Sequence, residues 1–389
     1  MAQGDFLIGA VGDVFLDRED PSTALDPVAP ILRGLDLVLG NCEGAYTDRP
    51  QFAPSARWRC VSGVHNAAPL GAAGFDVLTG ANNHTLDGGH VGLSDTVAAL
   101  RASGVLTAGV GESLAEARRP LLVSCQGSKI AIVARASVFQ PGYEARPGVP
   151  GLAPVRIHSH YYIPDWDAYG GIEPGVRPHV RTFPYPEDLA ALQADIVSAA
   201  KSADLVIASF HWGEASKRAF LTDYELQVGH AAIDAGADAV LGHHHHFLRG
   251  IAWYKGRPIF YGLGHFVFDL RWIGDKLDDA TIDHLKRTYG DYAIYPREGY
   301  PLLPFHEDGR LTLIALLEVR RGQITGAGFI PCIINPQNQA VPVDPESTQG
   351  QRVVDYMRGI SDEVSLGTRY VLDGWAVGEH RVVRALPSQ

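Results

Sequence analysis

Five short apolar runs, each closing on a polar cluster, constrain this chain more than any other feature. Phe6-Leu-Ile-Gly-Ala-Val-Gly12 runs into Asp13, and Leu35-Asp-Leu-Val-Leu39 runs into Gly40-Asn41-Cys42-Glu43. Phe75-Asp-Val-Leu-Thr79 runs into Gly80-Ala81-Asn82-Asn83-His84. Further on, Leu205-Val-Ile-Ala-Ser-Phe210 leads to His211-Trp212-Gly213, and Ala237-Asp-Ala-Val-Leu241 leads to Gly242-His243-His244-His245-His246. Such runs, rich in β-branched and large aliphatic residues, have the signature of buried strands. Helix-length segments lie among them at about 22–33, 64–73, 88–103, 185–203 and 221–236, with Gly104 as the C-cap of the third. Alternating strand and helix predicts an α/β sheet, and in such sheets sites form beyond the C-terminal strand ends. All five polar clusters sit there, so the pattern predicts one shared site.

A chain of 389 residues with 46% hydrophobic and 20% charged residues is globular and long enough for one large domain or two ordinary ones. Five units feeding one cluster of polar ends favour a single domain over 1–389. Two irregular stretches, at about 138–183 and 270–309, read as insertions, the first long enough to be a lid. From Leu311 two β-rich runs, a helix near 346–360 and a tail follow. A net charge of −11 argues against nucleic acid as a partner and leaves room for a local pocket for a small anion. No apolar run approaches the roughly 20 residues of a membrane span, and the N-terminus lacks a basic segment followed by a long apolar one. A cytoplasmic protein with no membrane partner is expected, and a homo-oligomer is compatible with the sequence. Cys42, Cys60, Cys125 and Cys332 form no CxxC pair and read as buried reduced thiols.

The polar clusters supply Asp13, Glu43, Asn83 with His84, His211, and His244 with His246. Divalent ions favour carboxylate oxygen and neutral imidazole nitrogen, and a pair of ions needs a carboxylate able to bridge them. Six such groups suffice for two ions about 3.5–4 Å apart, a centre that lowers the pKa of water toward neutrality. If residues 244–246 are extended, His244 and His246 share a face while His245 points away. Each member also has an ordinary reading: Asp13 as a cap, Glu43 as a surface carboxylate, Asn82-Asn83 as a turn, His211 as a packed ring. Their joint placement at strand ends is what favours a metal site.

As an ordered set these segments resemble the CapA family, named for polyglutamate capsule synthesis and related to the calcineurin-like metallophosphoesterases. The resemblance rests on Gly12-Asp13-Val14-Phe15-Leu16-Asp17-Arg18, Gly40-Asn41-Cys42-Glu43-Gly44, Ala81-Asn82-Asn83-His84-Thr85-Leu86-Asp87, His211-Trp212-Gly213, Gly242-His243-His244-His245-His246 and Tyr261-Gly262-Leu263-Gly264-His265-Phe266-Val267-Phe268-Asp269. It covers about 5–137 and 185–270, with weaker echoes near 311–335 and Gly367-Thr368. It implies an αββα sandwich of two mixed β-sheets flanked by helices. It further implies that Asp13 and His246 bind one metal, that Glu43 bridges, and that Asn83, His211 and His244 bind the other. His84 would be the general acid or substrate-positioning group, and Arg18 and Asp87 would orient neighbouring groups or substrate. The sequence departs from the superfamily in three places. Phe15 occupies the usual first-motif histidine position, leaving Asp17, Asn41 or water to complete the first metal. His245 replaces a proline, and His265 replaces an asparagine and becomes an additional ligand or proton carrier, or a structural residue.

These features predict a hydrolase using two divalent ions (manganese, zinc or iron) on a small-molecule phosphoester, amide, cyclic amide or lactone. His158, His160, Tyr161 and Arg181, with Arg156, Tyr162, Trp166 and His179, offer the 138–183 insertion either substrate contacts or loop packing. The alternative function is an accessory or binding protein of poly-γ-glutamate synthesis without turnover, for which an N-terminal hydrophobic anchor would be expected. A TIM-barrel amidohydrolase fits poorly, because its HxH follows the first strand and here it comes late.

Overall fold

Phe6–Phe15 is buried along its whole length because both of its edges and both of its faces are occupied. The computed structural model describes residues 4–56, 58–163, 177–271 and 277–388. One edge of this strand pairs in parallel with Leu37–Cys42. The other pairs antiparallel with Leu311–Arg320 as far as Ala10, then passes at Asp13 to the parallel strand His265–Phe268. At the exchange the Asp13 N–H donates to the Gly264 carbonyl at 2.8 Å and the register shifts between Asp13 and Val14, while on the opposite edge the register with Leu37–Cys42 shifts between Ala10 and Asp13. A Cβ on Gly12 would lie 2.0 Å from that carbonyl oxygen, so only glycine permits the approach.

Side-chain alternation along this strand separates two cores. Phe6, Ile8 and Ala10 share one buried cluster with Ile130, Ile132, Leu205, Ile207 and Leu241 of a second sheet. Leu7 and Val11 share another with Ile31, Leu32, Leu70 and Leu100 from helices on the outer side. The first sheet has ten strands. Its main path runs Thr368–Val371, Val383–Pro387, Gln323–Ile334, Leu311–Arg320, Phe6–Phe15, Leu37–Cys42, Val77–Thr79, Leu106–Ala108, with His265–Phe268 and Ala340–Pro342 alongside. The second has six strands, ordered Ile251–Tyr254, Arg257–Phe260, Ala239–His243, Leu205–His211, Ser128–Ala136, Leu121–Cys125. Its outer face, including Val206, Phe210 and Val240, packs against Leu192 and Ile196 of helix Pro186–Ala200 and Val228 and Ala232 of helix Asp223–Asp234. Helix, sheet, sheet and helix therefore stack as an αββα sandwich, as the resemblance implied.

An aspartate opens four of the five predicted runs, and each has the same job. Asp36, Asp76, Asp204 and Asp238 accept the N–H groups of Leu7, Val38, Lys129 and Val206, at 2.9, 2.7, 2.7 and 2.9 Å. Each carboxylate pins its strand to the parallel neighbour, which fixes register and thereby which side chains face the core.

The helices near 64–73, 88–103, 185–203 and 221–236 form close to their expected limits, and Gly104 has a φ of 88° just past Gly89–Ala102. The segment at 22–33 yields only the four-residue helix Ala29–Leu32. Pro21, Pro27 and Pro30 explain this, since proline lacks an N–H and is tolerated only in a first turn. The expected tail instead carries Thr368–Val371 and Val383–Pro387, which extend the first sheet. Within 138–183, Ile157–Tyr162 and His179–Pro184 form an antiparallel hairpin, and Trp166 lies outside the described residues. In 270–309, helix Asp279–Tyr289 has no buried residue, whereas Leu303 and Phe305 are buried.

Gly12→Ala is expected to lower stability by about 1–3 kcal/mol or more, because the methyl group meets backbone atoms that cannot move independently. A urea midpoint equal to that of the wild type would refute this account of the strand exchange.

Candidate metal centre

The five polar clusters meet where the C-terminal ends of the two sheets come together. Asp13 lies in a strand of the first sheet, and Glu43 and the Asn82-Asn83-His84 turn follow two others; His211 and His243 end adjacent parallel strands of the second, with residues 244–246 just beyond. Glu43 is placed by its N–H donating to the Val14 carbonyl at 3.0 Å. Asn82 fixes the third cluster, donating to the Asn41 side chain at 3.1 Å and the Cys42 carbonyl at 2.7 Å while accepting from the His84 N–H at 3.0 Å.

Glu43 Oε1 lies 3.5 Å from His211 Nε2, and 4.0 Å from Nε2 of both His84 and His246. Asp13 Oδ1 lies 3.5 Å from His243 Nδ1, and Asp13 Oδ2 lies 3.6 Å from His246 Nδ1. Asn83 Oδ1 contacts His211 Nε2. Among the described residues three groups have ligand atoms inside 4.8 Å of one another: Cys60, His84, Asp87, and two at the carboxylates, Asp13, Glu43, His211 and Glu43, His244, His246. Glu43 belongs to both. His211 sits with Asp13 and also faces His244, the partner the resemblance gave it, at a ring-centroid distance of 4.9 Å; His246 touches both groups.

The route to the last pair also differs from expectation. The strand ends at His243, and residues 244–246 are not extended: His244 has φ 94° and His246 has φ 61°. Left-handed backbone, rare for residues with a side chain, turns both rings inward to a centroid separation of 5.8 Å. His245 is directed elsewhere, onto Glu225 at 2.8 Å.

Asp13 and Glu43 are fully buried, yet Asp13 Oδ2 and both Glu43 oxygens have no hydrogen-bond partner among the described residues. Nδ1 of His243 and of His244 are likewise unpartnered. Burial raises the Glu43 carboxyl well above the ordinary range, and the adjacent Asp13 adds to the effect. Burial acts the same way on Asp13, but His243, His211 and His246 outweigh it and hold that carboxyl well below its usual value. Burial keeps the imidazoles neutral, with His244 lowered to about 3 and His265 to about 4, and His211 and His246 also well down. Orphaned carboxylate oxygens facing neutral imidazole lone pairs are a donor set that fits divalent cations.

The profile described as "Bacterial capsule synthesis protein PGA_cap" matches residues 1–270. The chain belongs to this family. It is 28% identical over 305 residues to the PGA biosynthesis protein CapA of Bacillus subtilis (strain 168), a match covering 77% of this chain and 71% of that protein. It is 33% identical over 244 residues to a probable polyglutamine synthesis accessory protein of Mycobacterium tuberculosis (strain ATCC 25618 / H37Rv), covering 61% of this chain and 57% of that one. Among solved structures it is similar to the calcineurin-like phosphoesterase YfkN of Bacillus subtilis, at 12% identity and a TM-score of 0.37, covering 92% of this chain and 97% of that one.

The residues expected to stand in for the histidine at the Phe15 position make contacts of their own. Phe15 is buried and stacks on Tyr46. The Asn41 amide nitrogen donates to Asp13 Oδ1 at 2.9 Å, and its oxygen accepts from Asn82, so Asn41 orients the carboxylate. Asp17 is half-buried, its N–H bonded to Asp269. His265 Nε2 lies 2.7 Å from His246 Nδ1, with its ring stacked on Phe268, so it backs a histidine. The additional nitrogen beside Asp13 is that of His243, 3.5 Å from Oδ1. Arg18 gives its guanidinium to Asp269, at 2.8 and 2.9 Å, and to the Asn338 carbonyl. Asp87 accepts from His84 Nδ1 at 2.6 Å, the Cys60 N–H at 2.7 Å and the Tyr143 hydroxyl at 2.7 Å. The four insertion residues are engaged in the hairpin: His158 stacks on Tyr185, His160 pairs with Arg181 across the strands, Arg181 bonds Asp223 at 2.8 Å, and Tyr161 is exposed. Tyr143 and Glu225 escaped the sequence reading because neither follows an apolar run; the Thr222-x-x-Glu225 spacing was the one signal available.

In chelator-treated protein, Glu43→Gln keeps the shape and removes a buried carboxyl whose ionised form burial and Asp13 both disfavour. Its unfolding free energy is expected to rise by about 1–3 kcal/mol. A fall in the urea midpoint would mean that protein groups already satisfy the carboxylate.

Proposed function

We propose that this chain is a metal-dependent hydrolase in which Asp13, Glu43, Asn83, His211, His244 and His246 hold two divalent ions, of manganese, zinc or iron. The observation that carries the reading is Glu43, buried with both oxygens unpartnered and common to the Asp13–His211 and His244–His246 groups. His243, 3.5 Å from Asp13, takes the part that Phe15 cannot. Bound there, such ions supply Lewis acidity and bring the pKa of water toward neutrality.

The remaining work falls to the chain itself. Asp87 accepts from His84 Nδ1 and so leaves Nε2 directed toward Glu43, 4.0 Å away. That orientation suits a group that delivers a proton to a leaving atom or positions the substrate. Arg18, through Asp269, holds the chain that follows Asp13. Phe305 and Phe268 wall the His246 side, with ring centroids 4.7 and 5.4 Å away, and exclude water there. The substrate is a small anionic ester or an acyl compound: a phosphoester, an amide, a cyclic amide or a lactone. A family described by capsule synthesis, and relatives named for PGA biosynthesis and polyglutamine synthesis, make γ-glutamyl amides a natural member of the test panel.

The wild-type chain is expected to take up about two divalent ions by elemental analysis, and the manganese-loaded protein to hydrolyse one member of a panel of phosphoesters, γ-glutamyl amides, cyclic amides and lactones. Glu43→Ala and His244→Ala should lose metal and turnover together. His84→Ala should keep its metal while turnover falls about 10²–10⁴-fold. A chain that binds no metal and hydrolyses nothing would favour the accessory role instead.

A further inference from the structure

The histidine half of the centre rests on one turn of one helix. His244 and His246 occupy left-handed backbone, and between them His245 points away from the carboxylates. Its Nε2 lies 2.8 Å from Glu225 Oε1, and both residues are fully buried. The other Glu225 oxygen accepts from the N–H and the hydroxyl of Thr222, at 2.6 and 2.7 Å, closing the capping box of helix Asp223–Asp234. The carboxylate is therefore saturated, held by the helix start on one side and by His245 on the other.

Two glycines make room for this contact. A Cβ on Gly213, which has φ 92°, would lie 2.0 Å from His245 Nε2, and one on Gly262 would lie 2.8 Å from His245 Nδ1. Tyr224, in the same helical turn, accepts the Gly213 N–H through its hydroxyl. The first turn of the helix thus grips the chain just after His211 and the chain between His244 and His246.

We propose that Glu225 is a positioning residue for the metal centre, acting through His245 to hold residues 244–246 in the left-handed turn that aims His244 and His246 at Glu43. This rests on the reading of the site as a metal centre. Without the bond, two non-glycine residues at positive φ would relax toward right-handed backbone and carry their rings off target. With it, the orientation of both rings is set before any ion arrives. Loss of such a supporting partner typically costs 10–100-fold in metal affinity.

Manganese titration by calorimetry tests the proposal on four proteins: wild type, His245→Leu, Glu225→Ala and the double variant, each confirmed as folded by circular dichroism in chelator. Each single change is expected to weaken manganese binding about 10–100-fold, and the double change no more than the worse single one. His245→Gln, which keeps an N–H donor at a similar reach, should restore most of the affinity; a change that only loosened packing would not be rescued. If His245→Leu does not fold, Glu225→Ala carries the comparison alone. Wild-type affinity in either single variant, or losses that multiply in the double variant, would overturn the role of Glu225. No binding to the wild type would overturn the metal reading itself.

Discussion

Two carboxylates placed side by side in the dry interior, Asp13 and Glu43, are the interaction on which the rest depends. Burying one unpaired carboxylate is expensive, and burying two in proximity adds their mutual repulsion. Hydrogen bonding meets only part of that demand: Asn41 serves one oxygen of Asp13, and no group among the described residues donates to the Glu43 carboxylate. The imidazoles around them are kept neutral by burial, so they offer lone pairs more than positive charge. A fold with no further use for the pair would gain by replacing either residue. Retention of both, with their free oxygens turned toward ring nitrogens, is what a cation site looks like before the cation is counted.

The sandwich makes this placement attainable. A carboxylate pair on one strand end would be reached by water, but here the first sheet supplies the carboxylates and the second supplies the histidines. Their facing ends close over one another. Register is therefore critical, since a slip of one residue turns Asp13 or His211 to the opposite face. The aspartates that open the strands hold that register at the far end, and Gly12 permits the strand exchange at the near end. Stability and site geometry draw on the same contacts.

Legibility followed the physics of each feature. The buried strands could be read because burial on both faces demands continuous apolar runs, and the candidate ligands because they end those runs. Ser128–Ala136 and the strands after Gly367 were not assigned, since the first ends in no polar cluster and the others are short and partly exposed. The His244–His246 face was anticipated on a wrong premise. Strand alternation predicts their convergence, yet the convergence comes from two left-handed residues, which sequence reads only when glycine or asparagine marks them. The aromatic and ionic residues of the 138–183 insertion suited a substrate pocket by type alone, and composition does not reveal that Arg181 faces Asp223 or that His158 lies on Tyr185.

The insertions nevertheless reach the centre, through residues whose types gave no hint of it. From the first, Tyr143 donates its hydroxyl to Asp87, the carboxylate that also receives His84 Nδ1 and the Cys60 N–H. Three donors on one buried carboxylate hold it in place, so the His84 ring has one orientation available. From the second, Phe305 packs on His246 and His265 with ring centroids 4.7 and 4.3 Å apart. A histidine whose Nδ1 meets His265 and whose face meets phenylalanine has little freedom except to direct Nε2 toward Glu43. Residues remote in sequence thereby remove rotational entropy from the His84 and His246 imidazoles, each 4.0 Å from Glu43. That cost is met during folding, leaving a preset arrangement for whatever the centre binds.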